Sequence, residues 1–408
     1  MIHRIVTIIA TASGAIVVCS LGYYILCLYS AARFLGRGKA VGEGSRPTQS
    51  LPPVSILKPL KGTDPEMYQS FRSHCLQDYP EYEIIFGVSD AHDPAIGFVE
   101  RLKAEFPEIP IRLILCEKVL GANIKVSNLA QMLPEARYQH IVVNDSDIRV
   151  DANYLHSVAA PLSDPKIGLV TCLYRGVSSS SLGSRLESLF ISTDFSAGVL
   201  VARLLEGGIH FGLGSTLAFR RSDLDATGGF EALSDYLADD YEIGRRIAAL
   251  GLGVELSETV VETFLPRYDS KQFLDHQLRW ARTIRDSRPG GYAGLVVIFG
   301  MPWALLALLC ARGAGWAWVL LGVAIVMRYA VALVTGRMIL QDPQVTRWLA
   351  LIPLRDFVAA AVWLVGITGH TVTWRGESFA LKDGKLVRMG AALHSPAGDG
   401  SSSKRPSE

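Results

Sequence analysis

The chain has 408 residues, a net charge of +1 from 40 basic and 39 acidic residues, and a positive mean hydropathy of +0.26. Charged residues make up 19% of it, below the roughly 25% of soluble domains, and this predicts one large domain plus membrane segments. The balanced charge, without a basic stripe studded with aromatic residues, argues against a nucleic-acid partner.

The first predicted element is a transmembrane anchor within residues 1–32. Residues Ile5–Tyr29 are apolar apart from a few small or weakly polar residues, and this stretch exceeds the core of a signal peptide, which is about 7–15 residues long. It is long enough to cross a bilayer core of about 30 Å. A cleaved signal peptide is the alternative, since Ser30-Ala31-Ala32 resembles a cleavage site. Basic residues between Arg33 and Arg46 predict that the following chain is cytosolic.

Residues 33–53 are predicted to form a basic, polar linker, and residues 54–288 a catalytic α/β domain. The six cysteines show no CxxC or zinc-like spacing, which fits reduced thiols in a cytosolic domain. Helical patterns at Glu66–Cys75 and Ile96–Glu105 alternate with five predicted strands: Val54–Leu57, Glu83–Val88, Ile111–Leu115, Ile141–Val143 and Ile167–Cys172. This alternation predicts a parallel sheet with helices on both faces, whose ligands lie beyond the carboxyl ends of the strands.

Residues 289–372 contain three apolar stretches that are long enough to span a membrane: Tyr292–Ala311, Ala314–Thr335 and Trp348–Gly369. They predict a multi-pass integral membrane protein. Three crossings would place the polar tail, residues 373–408, outside, whereas its basic residues favour the inside. One stretch is therefore expected to be re-entrant or interfacial. The Ser-, Gly- and Pro-rich end of the tail predicts disorder.

The sharpest local signal is the pair Asp145 and Asp147, directly after the predicted strand Ile141–Val143. Alternate residues of an extended segment point to the same side, so both carboxylates can reach one hard cation such as Mg²⁺ or Mn²⁺. Such an ion would keep open positions for a diphosphate. The alternative is a solvated turn, because an Asp-x-Asp pattern is common in turns.

Two further acidic positions lie next to predicted elements. Asp90 ends the strand Glu83–Val88 and can accept hydrogen bonds from a base or a ribose, with a helix-capping role as the alternative. Asp240 lies in Ala238–Glu242 before a helical stretch, where acids also serve the helix dipole. The functional interpretation of Asp240 is a general base that takes a proton from an acceptor hydroxyl.

The stretch from His276 to Trp280 precedes the C-terminal apolar region. Arg279 and Trp280, with arginines following at near-helical spacing, can hold phosphate groups through paired donors. An interfacial helix with snorkelling arginines and a belt tryptophan is the alternative, and both descriptions are compatible.

Several stretches, in this order, resemble one known family. They are Leu57-Lys58-Pro59-Leu60-Lys61-Gly62, Asp78-Tyr79-Pro80, Asp93-Pro94-Ala95-Ile96, Asp145-Ser146 with Ile148-Arg149-Val150, Gly228-Gly229 and Asp240-Tyr241. The chain resembles ceramide glucosyltransferases, glycosyltransferase family 21, which are inverting enzymes of the GT-A fold. The resemblance covers about Val54–Arg285, with a fainter match at Val372–Gly376.

The resemblance implies a GT-A-like, Rossmann-like nucleotide-sugar domain flanked by transmembrane helices. It also implies a UDP-sugar donor, a divalent metal and a membrane lipid acceptor. The residues that match the family pattern are Asp90, Asp145, Asp240, Arg279, Trp280, and Lys125 and Asn128 near the donor. The family's (Q/R)xxRW motif begins with His276 here. Asp147 is a second acid where some relatives have glycine, so it joins Asp145 as a predicted metal ligand.

The predicted acceptor is ceramide, and the alternative is a polyol hopanoid that receives N-acetylglucosamine, as in a bacterial branch of the family. The stretch His210–Ser215 resembles that branch more closely, and a bacterial inner membrane is the expected location. The apolar segment Leu189–Leu205 is either a core helix or an interfacial guide for the acceptor. A processive polysaccharide synthase and a non-enzymatic scaffold are the remaining alternatives.

Overall fold

The computed structural model describes residues 1–41, 51–374 and 377–388, without the side chains of residues 37–41 and 374. Arg46, Arg375 and the tail from Ala391 lie outside the described residues, as do the side chains of Arg37 and Lys39. Residues 33–41 of the predicted linker continue the first helix. The linker over residues 42–50 and the disordered chain end stay predictions, because those residues are not described.

The chain begins with one long helix, α1 (Ile2–Val41), and continues into the α/β domain. The strands of that domain are β1 Val54–Leu60, β2 Tyr82–Val88, β3 Ile111–Leu115, β4 His140–Val143, β5 Ile148–Arg149, β6 Ile167–Val177, β7 Leu217–Arg220 and β8 Gly253–Phe264. Its helices are α2 Met67–Cys75, α3 Ala95–Glu105, α4 Ile124–Met132, α5 Tyr154–Ala159, α6 Leu182–Phe190, α7 Ser196–Leu205, α8 Arg221–Ala226, α9 Asp239–Ala249 and α10 Ser270–Ser287. A π-helical turn, Ile191–Phe195, joins α6 to α7.

The eight-stranded sheet is mixed, which corrects the parallel sheet predicted from the alternation of strands and helices. Its order is β3-β2-β1-β4-β7-β6-β8-β5. The first four strands are parallel, whereas β7 runs antiparallel to both β4 and β6. Leu217 at the start of β7 pairs with Val143 at the end of β4. The segment that leads into β7 therefore reaches the same edge as the carboxyl ends of the parallel strands.

Two apolar cores cover the two faces of the sheet. Successive strand residues point to opposite faces, so Ile56 in β1 packs with Phe71 on one face and Leu57 packs with Leu129 and Ile243 on the other. All five are fully buried, and burial of a side chain of this size contributes about 1.5–3 kcal/mol. The strand ends thus rest on a platform packed from both sides.

The described part of the C-terminal region forms five helices, of which α12, α13 and α15 are strongly apolar: α11 Pro289–Gly294, α12 Gly300–Cys310, α13 Gly315–Ala332, α14 Pro343–Arg347 and α15 Ile352–Gly366. Four described helices are long and apolar enough to cross a membrane, namely Ile2–Gly36, Leu182–Leu205, Gly315–Ile339 and Leu349–Gly366. The predicted span Tyr292–Ala311 is instead bent by 57° between Pro289–Ile298 and Gly300–Cys310. The prediction of an α/β domain flanked by apolar helices is confirmed.

The segment Leu182–Leu205 differs from the other apolar helices in its burial. Within its most apolar window 56% is buried inside the protein, compared with 28% for α1 and 22% for Leu349–Gly366. Val199 and Leu200 of α7 join the core cluster that also contains Ala31 of α1. The segment therefore lies between the α/β domain and the apolar helices.

A three-stranded antiparallel sheet follows the last helix, where the sequence predicts only a polar tail. Its strands are β9 Thr371–Trp374, β10 Glu377–Lys382 and β11 Lys385–Arg388. Leu386 N–H donates to the Asp235 carbonyl at 2.7 Å, and Leu237 N–H donates to the Gly384 carbonyl at 3.1 Å. This sheet is therefore docked against the α/β domain beside the start of α9.

Candidate active site

The turn after β4 forms the base of the candidate site. Asn144 is fully buried, and its amide donates to the Tyr154 hydroxyl at 2.9 Å and to the Ser215 carbonyl at 2.7 Å. A buried polar side chain with its partners in place favours one conformation. The turn therefore presents Asp145 and Asp147 from a rigid base.

Asp145 and Asp147 line one cavity but are held by different partners. Asp145 Oδ1 lies 2.8 Å from Lys125 Nζ, and the Asp145 carbonyl accepts a hydrogen bond from Lys58 Nζ at 3.0 Å. Asp147 Oδ2 accepts a hydrogen bond from the Thr263 hydroxyl at 2.5 Å. Within the described residues, no three His, Cys, Asp or Glu side chains are grouped so that they could hold a metal ion. The two aspartates would thus supply only part of a coordination shell.

Burial shifts the proton affinities of the groups around this turn. Desolvation, with repulsion from Asp145 adding to it, raises the pKa of Asp147 to about 7. Desolvation lowers the pKa of Lys58, which is fully buried in β1, to about 7, against the attraction of Asp147 and Asp145. For Lys125 desolvation is outweighed by attraction to Asp145 and Asp239, which raises its pKa. Ionisable groups with shifted pKa values that line one cleft indicate a functional site.

The second acidic segment opens α9. Asp239 is buried, lies 3.2 Å from Lys125 Nζ, and accepts a 3.4 Å hydrogen bond from the Asn123 amide. Asp240 Oδ1 instead accepts the N–H of Tyr241 at 2.8 Å. Lys125 therefore bridges Asp239 and Asp145 of the β4 turn. It joins two acidic segments that are far apart in the chain.

Asp240 faces the cavity beside Gly214. A β-carbon on Gly214 would lie 3.1 Å from Asp240 Oδ2 and 3.6 Å from Asp145 Oδ2, so both carboxylates approach one point. Desolvation and the negative charge of Asp239 raise the pKa of Asp240 to about 6, against the attraction of Lys125. A carboxylate whose pKa is near the working pH suits general base catalysis.

The structure does not bring Asp90 into this cavity. The Asp90 side chain is 68% exposed, accepts the N–H of His92 at 2.8 Å, and is absent from the cavity lining. Lys61 and Asp64, which follow the neighbouring strand β1, line the cavity instead. A base- or ribose-binding role for Asp90 stays a prediction.

Helix α4 carries Lys125 and Asn128 to the cavity wall. Asn123 caps this helix, because its side chain accepts the Val126 N–H at 3.2 Å and donates to the Tyr236 carbonyl at 2.8 Å. Asn128 is 1% exposed, and its side-chain oxygen has no hydrogen-bond partner among the described residues. An unpaired buried acceptor costs about 1–3 kcal/mol. Asn128 is thus suited to accept a hydrogen bond from a ligand in the cavity.

Helix α10 places His276, Arg279 and Trp280 on another wall of the cavity. Its N-terminus is fixed by a capping box between Asp269 and Gln272. The Trp280 ring lies edge-on to His276 at 5.8 Å between centroids. At the position where this chain departs from (Q/R)xxRW, the structure therefore has an imidazole packed against the tryptophan of the motif.

His276 has its own set of partners. Its Nδ1 lies 3.0 Å from both Glu187 Oε2 on α6 and the Tyr268 hydroxyl. Glu187 is 2% exposed, and all three side chains line the cavity. The contact ties α6 to α10 at the cavity wall.

The cavity has a volume of about 1170 Å³, above the roughly 300–1,000 Å³ of typical small-molecule sites. Its lining includes the acidic residues of the β4 turn and α9. It also includes apolar side chains of α1, the α6–α7 segment, α10 and the stretch before α12, among them Leu26, Phe190, Phe195, Ile284 and Ile298. The cavity therefore accommodates a ligand pair with one polar and one apolar member.

Three cavity groups received no role from the sequence. Asp239 was quoted beside Asp240, but only the structure shows its contact with Lys125. Glu187 is one of two acids, with Asp194, in the apolar stretch Leu182–Leu205, and Gly214 lies in a glycine-rich loop before β7. A charged residue inside an otherwise apolar segment is the signal that could have identified Glu187, because an unpaired buried charge is costly.

Comparison with known proteins gives one family. The model of glycosyl transferase family 21 matches residues 13–387. Ceramide glucosyltransferase 3 of Caenorhabditis elegans is 27% identical over 280 residues, which is 68% of this chain and 59% of that relative. Ceramide glucosyltransferase 1 of the same organism is 28% identical over 212 residues, 52% of this chain and 45% of that relative. The chain spans about half the length of the relatives it matches.

Solved structures give more distant likenesses. The mannosyltransferase PcManGT from Pyrobaculum calidifontis, in complex with GDP-Man and Mn²⁺, has a TM-score of 0.49 at 19% identity and covers 88% of this chain and 99% of its own. S. aureus TarS 1–349 has a TM-score of 0.38 at 13% identity, with coverages of 83% and 99%. Scores this low carry no argument about function. The family match, which extends over nearly the whole chain, shows that the chain belongs to glycosyltransferase family 21.

Proposed function

We propose that this chain transfers a sugar from a UDP-sugar to the hydroxyl group of a membrane lipid, with inversion at the anomeric carbon and with a divalent metal. The observation that carries the proposal is a single cavity that joins a cluster of carboxylates to the apolar helices. The names of the relatives support ceramide as the acceptor, and a polyol hopanoid is the alternative. The proposed location is the cytosolic face of a membrane, which in a bacterial cell is the inner membrane.

The donor end of the cavity is assigned to the β4 turn, α4 and α10. Asp145 and Asp147 fit Mg²⁺ or Mn²⁺, because both are carboxylates and these ions accept further oxygen ligands from phosphates and water. When bound, the ion would neutralise the departing diphosphate. Asn128 offers its unpaired oxygen to the nucleotide. Arg279 and Trp280 also line the cavity and are assigned to the phosphates.

Asp240 is assigned as the general base, and Asp239 as a positioning residue. Asp239 is buried and shares Lys125 with Asp145, so its charge is already engaged. Asp240 Oδ2 points to the cavity beside Gly214. Its pKa of about 6 leaves it ionised at neutral pH but basic enough to attract a proton.

The proposed step is a single displacement. Asp240 takes the proton of the acceptor hydroxyl as the hydroxyl oxygen attacks the anomeric carbon. The bond from that carbon to the diphosphate oxygen breaks on the opposite face, and UDP leaves with the bonding electrons. One C–O bond forms, one C–O bond breaks, and the configuration inverts.

The acceptor end is assigned to the apolar half of the cavity. Its walls come from α1, the α6–α7 segment and α10, and α1 is among the helices long enough to cross a membrane. A lipid in the bilayer would then reach the site with its hydroxyl directed at Asp240. Confinement of both partners to the membrane surface raises the effective concentration of the acceptor.

The experiment that tests this function incubates purified membranes with several UDP-sugars, a ceramide and a polyol hopanoid, and identifies the products by mass. We expect one lipid to gain a single sugar. Asp240→Asn should lower turnover by about 10²–10⁴-fold, the usual contribution of a general base, while donor binding is retained. Normal turnover in that variant would remove Asp240 as the base, and a polymeric product would indicate a processive synthase.

A second variant tests the metal assignment. Asp145→Ala should lose both transfer and stimulation by Mg²⁺ or Mn²⁺, since one of its two proposed carboxylate ligands is gone. A variant that metal still stimulates to the wild-type degree would contradict this assignment.

A further inference from the structure

A cluster of charged side chains lies beneath the acceptor half of the cavity. Arg328 of α13 is 1% exposed, and its Nη2 donates to Asp356 of α15 at 2.9 Å. The same nitrogen donates to both oxygens of Asp194, in the π-helical turn between α6 and α7, at 3.1 and 3.0 Å. One guanidinium thus joins three helical segments that are far apart in sequence.

Helix packing alone does not require this arrangement. Buried ion pairs contribute little net stability compared with well-packed apolar side chains, and ionisable groups within apolar helices mark functional sites by default. π-helical turns are rare and frequently occur at such sites. The position of Asp194 in this turn therefore calls for a functional explanation.

Asp194 differs from its charged neighbours in facing the cavity. Among Asp194, Arg328, Arg355 and Asp356, only Asp194 lines the large cavity, and its side chain is 12% exposed. The apolar residues on either side of it along the wall, Ile191 and Val199 among them, also line the cavity. Between Phe190 and Leu205 the wall thus contains a single carboxylate, that of Asp194, within an apolar surface.

The same wall leads to the reacting end of the site. The ring of Phe195, next in sequence to Asp194, lies 5.4 Å from that of Tyr174, and Tyr174 lines the same cavity as Asp240. Asp194 is therefore connected to the catalytic end by side chains that line one continuous cavity.

The hydrogen bonds of Asp194 leave room for a ligand. Its carboxylate accepts two contacts from Arg328 Nη2 and one from the Thr193 hydroxyl at 3.1 Å. An ionised carboxylate has about four lone-pair sites, so one site is available. A ligand group that donates an N–H or O–H would complete the set.

We propose that Asp194, oriented by Arg328, accepts a hydrogen bond from a second polar group of the acceptor lipid, distinct from the hydroxyl that receives the sugar. This assignment rests on the proposed function and adds to it a specificity-determining residue. The ligand chemistry is an amphiphile with an additional N–H or O–H donor near its reacting hydroxyl. A ceramide amide and a further hydroxyl of a polyol lipid both satisfy this description.

The experiment measures kcat/KM with three acceptors: a ceramide, a polyol hopanoid and a long-chain primary alcohol whose only donor is the reacting hydroxyl. The wild-type protein should prefer the ceramide, the polyol or both over the alcohol. Asp194→Asn should reduce that preference by about 10- to 100-fold, the range of a hydrogen bond to a charged group, and leave the alcohol within about twofold. The acceptor whose kcat/KM falls most in Asp194→Asn carries the group that donates a hydrogen bond to Asp194.

Two further variants separate recognition from packing. Asp356→Asn removes the other carboxylate on Arg328 but leaves Asp194 and the cavity wall in place, so any loss of kcat/KM should be similar for all three acceptors and the preference should be retained. Asp194→Glu keeps the charge and should keep much of the preference. Hydrolysis of the UDP-sugar by water reports whether each variant is folded, because it needs only the donor end of the site.

The outcomes are distinct. An equal loss with all three acceptors in Asp194→Asn, or an equal change of preference in Asp356→Asn, would assign Asp194 to helix packing and overturn the proposal. A wild-type protein with no preference over the alcohol would also overturn it. A wild-type protein that glycosylates none of the three lipids would overturn the proposed function as well.

Discussion

Asp239 and Asp240 are neighbours in the chain, but different atoms surround them, and the difference separates a positioning role from a reacting one. Asp239 is buried against Lys125 and Asn123, whereas Asp240 directs one oxygen to the cavity. The charge of Asp239 also acts on its neighbour, because it adds to desolvation in raising the pKa of Asp240. The fixed charge of Asp239 thus helps to raise the pKa of the carboxylate that is proposed to react.

This tuning predicts the pH profile. A base acts in its ionised form, so kcat/KM should fall as the pH drops through about 6, the pKa of Asp240. Asp239→Asn removes a like charge and should move that limb to lower pH. Profiles between pH 5 and 8 measure the shift, with Glu258→Gln, an exposed acid on β8, as the control. A limb that stays in place in Asp239→Asn would contradict its assignment to Asp240.

At the scale of elements, the packing of α9 against the segment before β7 determines the position of Asp240. The helix approaches the segment before β7 so closely that a β-carbon on Gly244 would lie 2.2 Å from the Gly212 nitrogen. Gly212 N–H in turn donates to the Asp240 carbonyl at 3.2 Å. The absence of a side chain at Gly244 thus permits the contact that positions the catalytic end of the helix.

Gly244→Ala should therefore damage both stability and activity. The added methyl group meets backbone rather than a flexible side chain, and such overpacking costs about 1–3 kcal/mol, which lowers the apparent Tm by about 2–4 °C per kcal/mol in a domain of this size. Gly97→Ala in α3, where a β-carbon meets nothing within 4 Å, is the control and should be neutral or stabilising. Equal Tm and turnover in the two variants would contradict the close packing of Gly244 against the Gly212 backbone.

The sequence predicts the elements better than their contacts. Periodicity and strand ends identify β1, β2 and β4 and place Asp145 and Asp147 at the sheet edge, because these signals are local. The antiparallel insertion of β7, which brings Gly214 beside Asp240, depends on pairing between distant segments. The ties between Glu187 and His276 and between Asp194 and Arg328 are non-local for the same reason. The sequence therefore predicts the acids but not the groups that hold them.

At the scale of the whole molecule, contacts with the α/β domain indicate the path of the C-terminal helices. Arg288 pairs with Glu206 at 2.6 Å just before α11, and the Leu340 carbonyl accepts a hydrogen bond from Arg175 at 2.8 Å after α13. Both ends of the α12–α13 hairpin thus lie at the domain. Its turn, residues 311–314, lies at the opposite end, where Trp316 would contact a β-carbon on Gly14 of α1.

Helix α15 begins and ends at the domain. Arg185 of α6 lies over the Trp348 ring at 4.2 Å, and the Gly366 carbonyl accepts a hydrogen bond from Arg285 of α10 at 2.5 Å. This favours a helix that lies along the interface rather than one that crosses the membrane. We therefore predict two crossings after the domain, one through the bent pair Pro289–Ile298 and Gly300–Cys310 and one through α13. They would return the C-terminal sheet to the cytosolic side, where basic residues are favoured.

This path predicts which positions are accessible from each side of the membrane. Single cysteines introduced at Ala314, Thr346 and Asp383 of a cysteine-free variant can be labelled in sealed cells with a maleimide that does not cross membranes. Ala314→Cys should react from outside, because the α12–α13 turn lies away from the domain. Thr346→Cys and Asp383→Cys should react only after permeabilisation, because both flanks of α15 lie on the domain side. If α15 crossed the membrane, Thr346→Cys and Asp383→Cys would be labelled from opposite sides. That result would contradict the prediction that both flanks of α15 lie on the domain side.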